Sequence, residues 1–121
     1  MISVEIPGQP IPCPRPRVSK HGTYYPKRYT DWLRDAQVLL RQACVKQNGG
    51  RLMEGDVTVE VTFYGARPNA DIDNLCKSVL DAAQGQVFKD DRQVVELLAE
   101  KANFGKPVTV VSFREKGATD G

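Results

Sequence analysis

The chain has 121 residues, 40% hydrophobic and 26% charged, with 17 basic side chains against 15 acidic ones and a net charge of +2. That length predicts one domain, which can bury roughly two-thirds of its unfolded surface and so hold a core without covalent staples. No apolar run approaches the ~20 residues of a membrane span, the opening Met-Ile-Ser-Val-Glu-Ile-Pro lacks the marks of a signal peptide, and Cys13, Cys44 and Cys76 fit no zinc spacing; reduced packing cysteines in a cytoplasmic protein are expected.

Ile2, Val4 and Ile6 alternate with Ser3 and Glu5, the pattern of a strand that Pro7-Gly8 ends. Pro10, Pro12, Pro14 and Pro16 recur at every second position, so this stretch is extended and outside any helix or central strand. Arg17 to Tyr25 suits a small hairpin around Lys20-His21-Gly22, with Lys20 to Tyr29 loop-like overall. Thr30 or Asp31 can cap a helix running to about Asn48, with Trp32, Ala36, Leu39, Leu40 and Ala43 as its apolar stripe. Val57, Val59, Val61 and Phe63 alternate with Thr58, Glu60, Thr62 and Tyr64, the clearest strand of the chain. Asp73 or Asn74 caps a second helix whose Leu75, Val79, Leu80 and Ala83 face inward, and Gly85 ends it. Residues 93–104 read as a strand, although Val95 to Lys101 would also suit a helix. Gly105-Lys106-Pro107 is a turn, Val108 to Phe113 a last strand, and 114–121 a polar tail. The order implies a single α/β domain over 1–121, with a mixed sheet of about four strands and two main helices packed on it. Strand order is not readable from the pattern.

Charge is unevenly placed. No acid occurs between Glu5 and Asp31, while Arg15, Arg17, Lys20, Lys27 and Arg28 fall in that stretch, with Tyr24, Tyr25, Tyr29 and Trp32 among or beside them. Cations can pair with phosphates and rings can stack on unstacked bases. A solvated basic loop with half-packed tyrosines is the plainer explanation of the same residues.

The acids concentrate elsewhere. Asp71 and Asp73 stand at the start of the second helix, and Asp90 and Asp91 just past its end. In an extended segment residues i and i+2 point to one side, so Asp71 and Asp73 are expected to face one spot. An N-cap role accounts for Asp73 and leaves Asp71 unexplained. Lys77 lies one turn beyond Asp73, with Asp81 a turn further, where a helix-surface salt bridge is the structural alternative to a place beside a phosphate. If the chain returns Asp90-Asp91 to the Asp71/Asp73 mouth, three or four carboxylates meet, a set of hard oxygen ligands that suits Mg²⁺ or Mn²⁺. Such an ion polarises a phosphate and acidifies water. His21 is the sole histidine, no covalent nucleophile pairs with a base, and no glycine-rich loop cradles a nucleotide cofactor.

The run Asp71-Ile-Asp73-Asn74-Leu75-Cys76-Lys77-Ser78-Val79-Leu80-Asp81-Ala82 with Gly85, then Asp90-Asp91-Arg92-Gln93-Val94, resembles the core motif of the RusA family of Holliday junction resolvases, small endodeoxyribonucleases often encoded by phages and prophages. A looser likeness covers Gly8-Gln9-Pro10 through Arg15-Pro16-Arg17, Tyr25-Pro26-Lys27 and Lys101. The resemblance implies a homodimer that binds four-way DNA junctions and makes paired, Mg²⁺-dependent nicks with ligatable ends in recombination and repair. It implies Asp71, Asp73 and Asp91 as metal-binding acids, Asp90 as an assisting acid and Lys77 as the catalytic lysine. Arg15, Arg17, Lys20, Lys27, Arg28, Lys77 and Lys101 are the expected DNA contacts. Family members often carry proline or a basic residue before the first aspartate; here it is Ala70, after Asn69, which puts one phosphate contact in doubt. Three alternatives stand beside this reading: a catalytically silent junction-binding module, another Mg²⁺ nuclease acting on flaps, branched DNA or RNA, and a plain α/β domain whose aspartates are caps.

Overall fold

The computed structural model describes residues 1–15 and 17–116, without the side chain of Arg17. Strands β1 (Ile2–Pro7), β4 (Val57–Tyr64), β5 (Val94–Ala102) and β6 (Val108–Glu115) form one sheet in the order β1-β6-β4-β5. β6 runs antiparallel to both β1 and β4, and β4 runs parallel to β5, so the sheet is mixed as expected. β2 (Arg17–Ser19) and β3 (Gly22–Tyr24) form the separate small hairpin. The last strand extends two residues past the predicted limit, pairing Arg114 with Thr58 and Glu115 with Val57.

Two helices, α1 (Lys27–Asn48) and α2 (Ile72–Ala83), cover one face of the sheet. Register explains the core. Val57, Val59, Val61 and Phe63 of β4 meet Phe113 and Val111 of β6 and Ile2 and Ile6 of β1 beneath Trp32, Ala36 and Leu40 of α1 and Leu75, Val79 and Ala82 of α2. All share one apolar cluster, and apolar burial of this kind is the main stabilising term. The opposite face, with Glu60 and Ser112, is open to solvent.

α1 begins at Lys27, earlier than Thr30 or Asp31, because Pro26 serves as its N-cap and its carbonyl accepts from Tyr29 N at 3.1 Å. Proline's fixed φ suits a helix start. The earlier start adds Tyr29 to the buried stripe and removes it from the loop. Residues 94–102 are strand and not helix: β4 supplies a parallel partner along their length, and this tertiary pairing overrides local preference.

The loop from β4 to α2 carries the site, and Gly65 sets its path. Gly65 has φ +66, its N–H donates to Ala102 O at 2.8 Å, and a Cβ there would meet Pro107 Cα at 3.0 Å. Gly65→Ala is expected to lower stability by at least about 1–2 kcal/mol from the left-handed backbone alone, read as a shift in the urea midpoint; an unchanged midpoint would contradict the tight turn.

Candidate active site along helix α2

Asp71 is the N-cap of α2, and its Oδ1 accepts from Asp73 N at 2.9 Å. This corrects the sequence expectation, in which Asp73 or Asn74 caps and both acids project from extended chain. Asp73 is already inside the first turn. The cap therefore accounts for Asp71, and the Asp73 carboxylate is the one with no hydrogen-bond or ion-pair partner among the described residues. The two side chains open onto different hollows. Asp71 borders a cavity of about 320 Å³ shared with Arg15, Arg28, Arg67 and Asn74. Asp73 borders a groove of about 350 Å³ shared with Cys76, Lys77, Asp81, Asp91 and Leu97.

In that groove Lys77 is exposed, and neither an Asp73–Lys77 nor a Lys77–Asp81 salt bridge forms among the described residues. The Cys76 thiol is pushed up from its ordinary pKa, first by burial and then by the charge of Asp73, so it stays protonated and uncharged. Asp81 meets Tyr29 and Cys13 instead. Its Oδ2 accepts from Tyr29 OH at 3.3 Å and from the Cys13 thiol at 3.9 Å. Burial, followed by Cys13 and Asp81, raises the Tyr29 phenol far above its usual value, which keeps it a hydrogen-bond donor. With Cys13 N donating to Asn74 O at 2.9 Å and Ser78 Oγ to Ile11 O at 2.6 Å, these contacts fasten the proline-rich segment along α2.

Asp91 lies at the other end of the helix. It opens a short 3-10 turn (Asp91–Gln93), and its N–H donates to Oε1 of Gln84, the C-cap of α2, at 3.0 Å. Asp90 caps this turn and accepts from Arg92 N, Nε and Nη2 at 2.9, 3.3 and 3.1 Å. Hydrogen bonds from Arg92 hold the Asp90 carboxyl below the ordinary range. Asp90, grouped with the metal acids from the sequence, is thus engaged by its own turn. Gln93 fixes the bracket: Oε1 accepts from Lys89 N and Asp90 N, both at 3.0 Å, and Nε2 donates to Met53 O and Gly55 O, both at 2.9 Å.

The chain does not return Asp91 to the Asp71/Asp73 mouth. α2 has 12 residues, so its ends are about 18 Å apart at 1.5 Å per residue. Among the described residues no three Asp, Glu, His or Cys side chains gather closely enough to hold an ion. Asp73 and Asp91 border one groove, while Asp71 borders the other cavity.

The expected DNA contacts divide. Arg15 and Arg28 are exposed beside Asp71, and Lys20 is exposed at the hairpin turn. Lys27 pairs with Asp31 at 2.7 Å on an exposed flank, and the side chain of Arg17 lies outside the described residues. Lys101 is engaged structurally: its Nζ donates to Pro68 O at 2.9 Å and Ala70 O at 2.7 Å, tying the loop before Asp71 to β5. Tyr29 and Trp32 are buried, leaving Tyr24 and Tyr25 as the exposed rings of that stretch. Sequence reasoning missed Arg67, which borders the Asp71 cavity; its place between the clearest strand and Asp71 was the available signal.

Among the described residues no helix is long and apolar enough to cross a membrane. No curated protein matches the chain. A family model described as endodeoxyribonuclease RusA matches residues 7–114, from the end of β1 into β6 and across every residue of the site. The chain belongs to the RusA endodeoxyribonuclease family.

Proposed function

We propose that the protein resolves Holliday junctions as a homodimer, using a divalent cation held by Asp71, Asp73 and Asp91. The observation that carries this reading is the set of carboxylates spread along α2 without ion-pair partners among the described residues, with an unpaired Lys77 between them. The donor chemistry fits Mg²⁺ or Mn²⁺, since these ions prefer carboxylate oxygens. One chain supplies half a site. When bound, the ion supplies Lewis-acid polarisation of the phosphate and acidifies water. Lys77 offers its ammonium to the negative charge that grows on the phosphate during the cut.

The edge of the sheet supports the dimer. Among the described residues β5 pairs with β4 on one side only, and Val95, Leu97 and Leu98 are exposed along it. Long apolar edge strands favour pairing with another chain. Antiparallel pairing of two β5 strands about a two-fold axis runs Asp91 of one copy toward the end of β5 where Lys101 of the other holds the Asp71 loop. Three acids would then meet at each of two equivalent sites, as two matched cuts on a near-symmetric junction require. Buried, unpaired Cys13, Cys44 and Cys76 suit a cytoplasmic setting.

A labelled mobile four-way junction, a flap and a plain duplex, each with Mg²⁺ or with EDTA, test this reading. Ligatable nicks in opposing strands of the junction alone, abolished by EDTA, are expected. Binding without nicking would favour a junction-binding module, and preference for the flap a different nuclease.

A further inference from the structure

The Asp71 cavity has a chemistry of its own. Its walls come from separate parts of the chain: Arg15 from the proline-rich segment, Arg28 from the first turn of α1, Arg67 and Asn69 from the β4–α2 loop, and Asn74 from the first turn of α2. Among the described residues none of the three guanidinium groups pairs with a carboxylate, and neither Asn side chain makes a hydrogen bond within the protein. Three unpaired arginines against Asp71 leave the cavity positive.

Helix electrostatics point the same way. The N-terminus of a helix is partially positive and favours anions. α1 has no acid in its first turn, carries Lys27 and Arg28 there, and has no side-chain cap. α2 contributes its first turn to the same cavity. Cations at a helix start are unfavourable unless an anion joins them. Arginine forks and free amide N–H groups match phosphate oxygens.

We infer that this cavity is a subsite for a backbone phosphate of the cut strand, next to the phosphate that reacts, with Arg67 its main ligand alongside Arg15 and Arg28. The inference rests on the nuclease reading above. It explains how a chain with Ala70 before Asp71 still grips DNA there: the charge comes from Arg67 in the same loop and from two arginines across the cavity.

The test uses junctions in which each linkage flanking the cut is replaced, one at a time, by a neutral methylphosphonate, with wild type and Arg67→Gln. Binding is read in EDTA across a salt series and cleavage in Mg²⁺. For wild type, one neutral linkage beside the cut is expected to weaken binding about tenfold. In Arg67→Gln that linkage becomes indifferent, the remaining linkages keep their effects, and the salt slope falls by about 1. Arg67 is exposed, so the variant should unfold at the wild-type midpoint, separating lost contact from lost structure. A wild-type methylphosphonate profile in Arg67→Gln, or no sensitive linkage in wild type that still nicks junctions, overturns the inference. Absence of any junction nicking overturns the nuclease reading instead.

Discussion

Asp73→Asn is expected to reduce junction cleavage on the order of 10³-fold or more, the scale on which lost electrostatic stabilisation of a transition state is felt, while binding in EDTA stays at the wild-type level. The Asp73 carboxylate has no structural partner among the described residues. Removing its charge from the first turn should cost only about 0.3–1 kcal/mol of stability, so the protein remains folded and keeps its basic cavity. Asp71 behaves differently. Its carboxylate is the N-cap, and Asn, unlike Ala, preserves that role. Cleavage at the wild-type rate by Asp73→Asn in Mg²⁺ would remove Asp73 from the ion site.

The second large effect concerns mixing. Asp73→Asn and Asp91→Asn should each be inactive alone. Co-refolded or exchanged into heterodimers, they should regain up to about half the wild-type number of competent sites. In such a dimer one site inherits both substitutions and the other inherits intact Asp73 from one chain and intact Asp91 from its partner. If each chain assembled its acids by itself, no mixture would recover activity. Nicking of one strand per junction by the mixture, against paired nicks by wild type, is the readout. The distance between the ends of α2 makes this the sharper of the two experiments.

Much of the fold was legible because period and punctuation agreed. Strands at Ile2, Val57 and Val108 and a helix stopping at Asn48 followed from alternation, a 3.6-residue stripe and Gly49, which adopts φ 66 after α1. The start of α1 was not legible, since a proline cap uses backbone geometry and leaves no side-chain signature. Asp71 and Asp73 are legible as a pair, yet their roles are exchanged: the decision between cap and free carboxylate turns on a shift of two residues in where the helix begins. Asp90 and Asp91 are separated in sequence only by the family resemblance, and in the structure the Arg92 hydrogen bonds engage the Asp90 carboxylate. Lys101 is expected at the DNA only through the family resemblance, and its hydrogen bonds to the carbonyls of Pro68 and Ala70 in the loop before Asp71 leave no mark in the sequence.

The bracket around Gln93 has a consequence for assembly. With both of its amide atoms saturated by four main-chain groups and Gln84 holding the Asp91 amide, the backbone that presents Asp91 is rigid before any second copy arrives. Ordering a loop at the moment of association takes away conformational entropy and weakens binding. Here that loss is already incurred in folding, so in the dimer proposed above two monomers would meet as preorganised surfaces, and little of their association energy would be diverted to shaping the segment that carries Asp91.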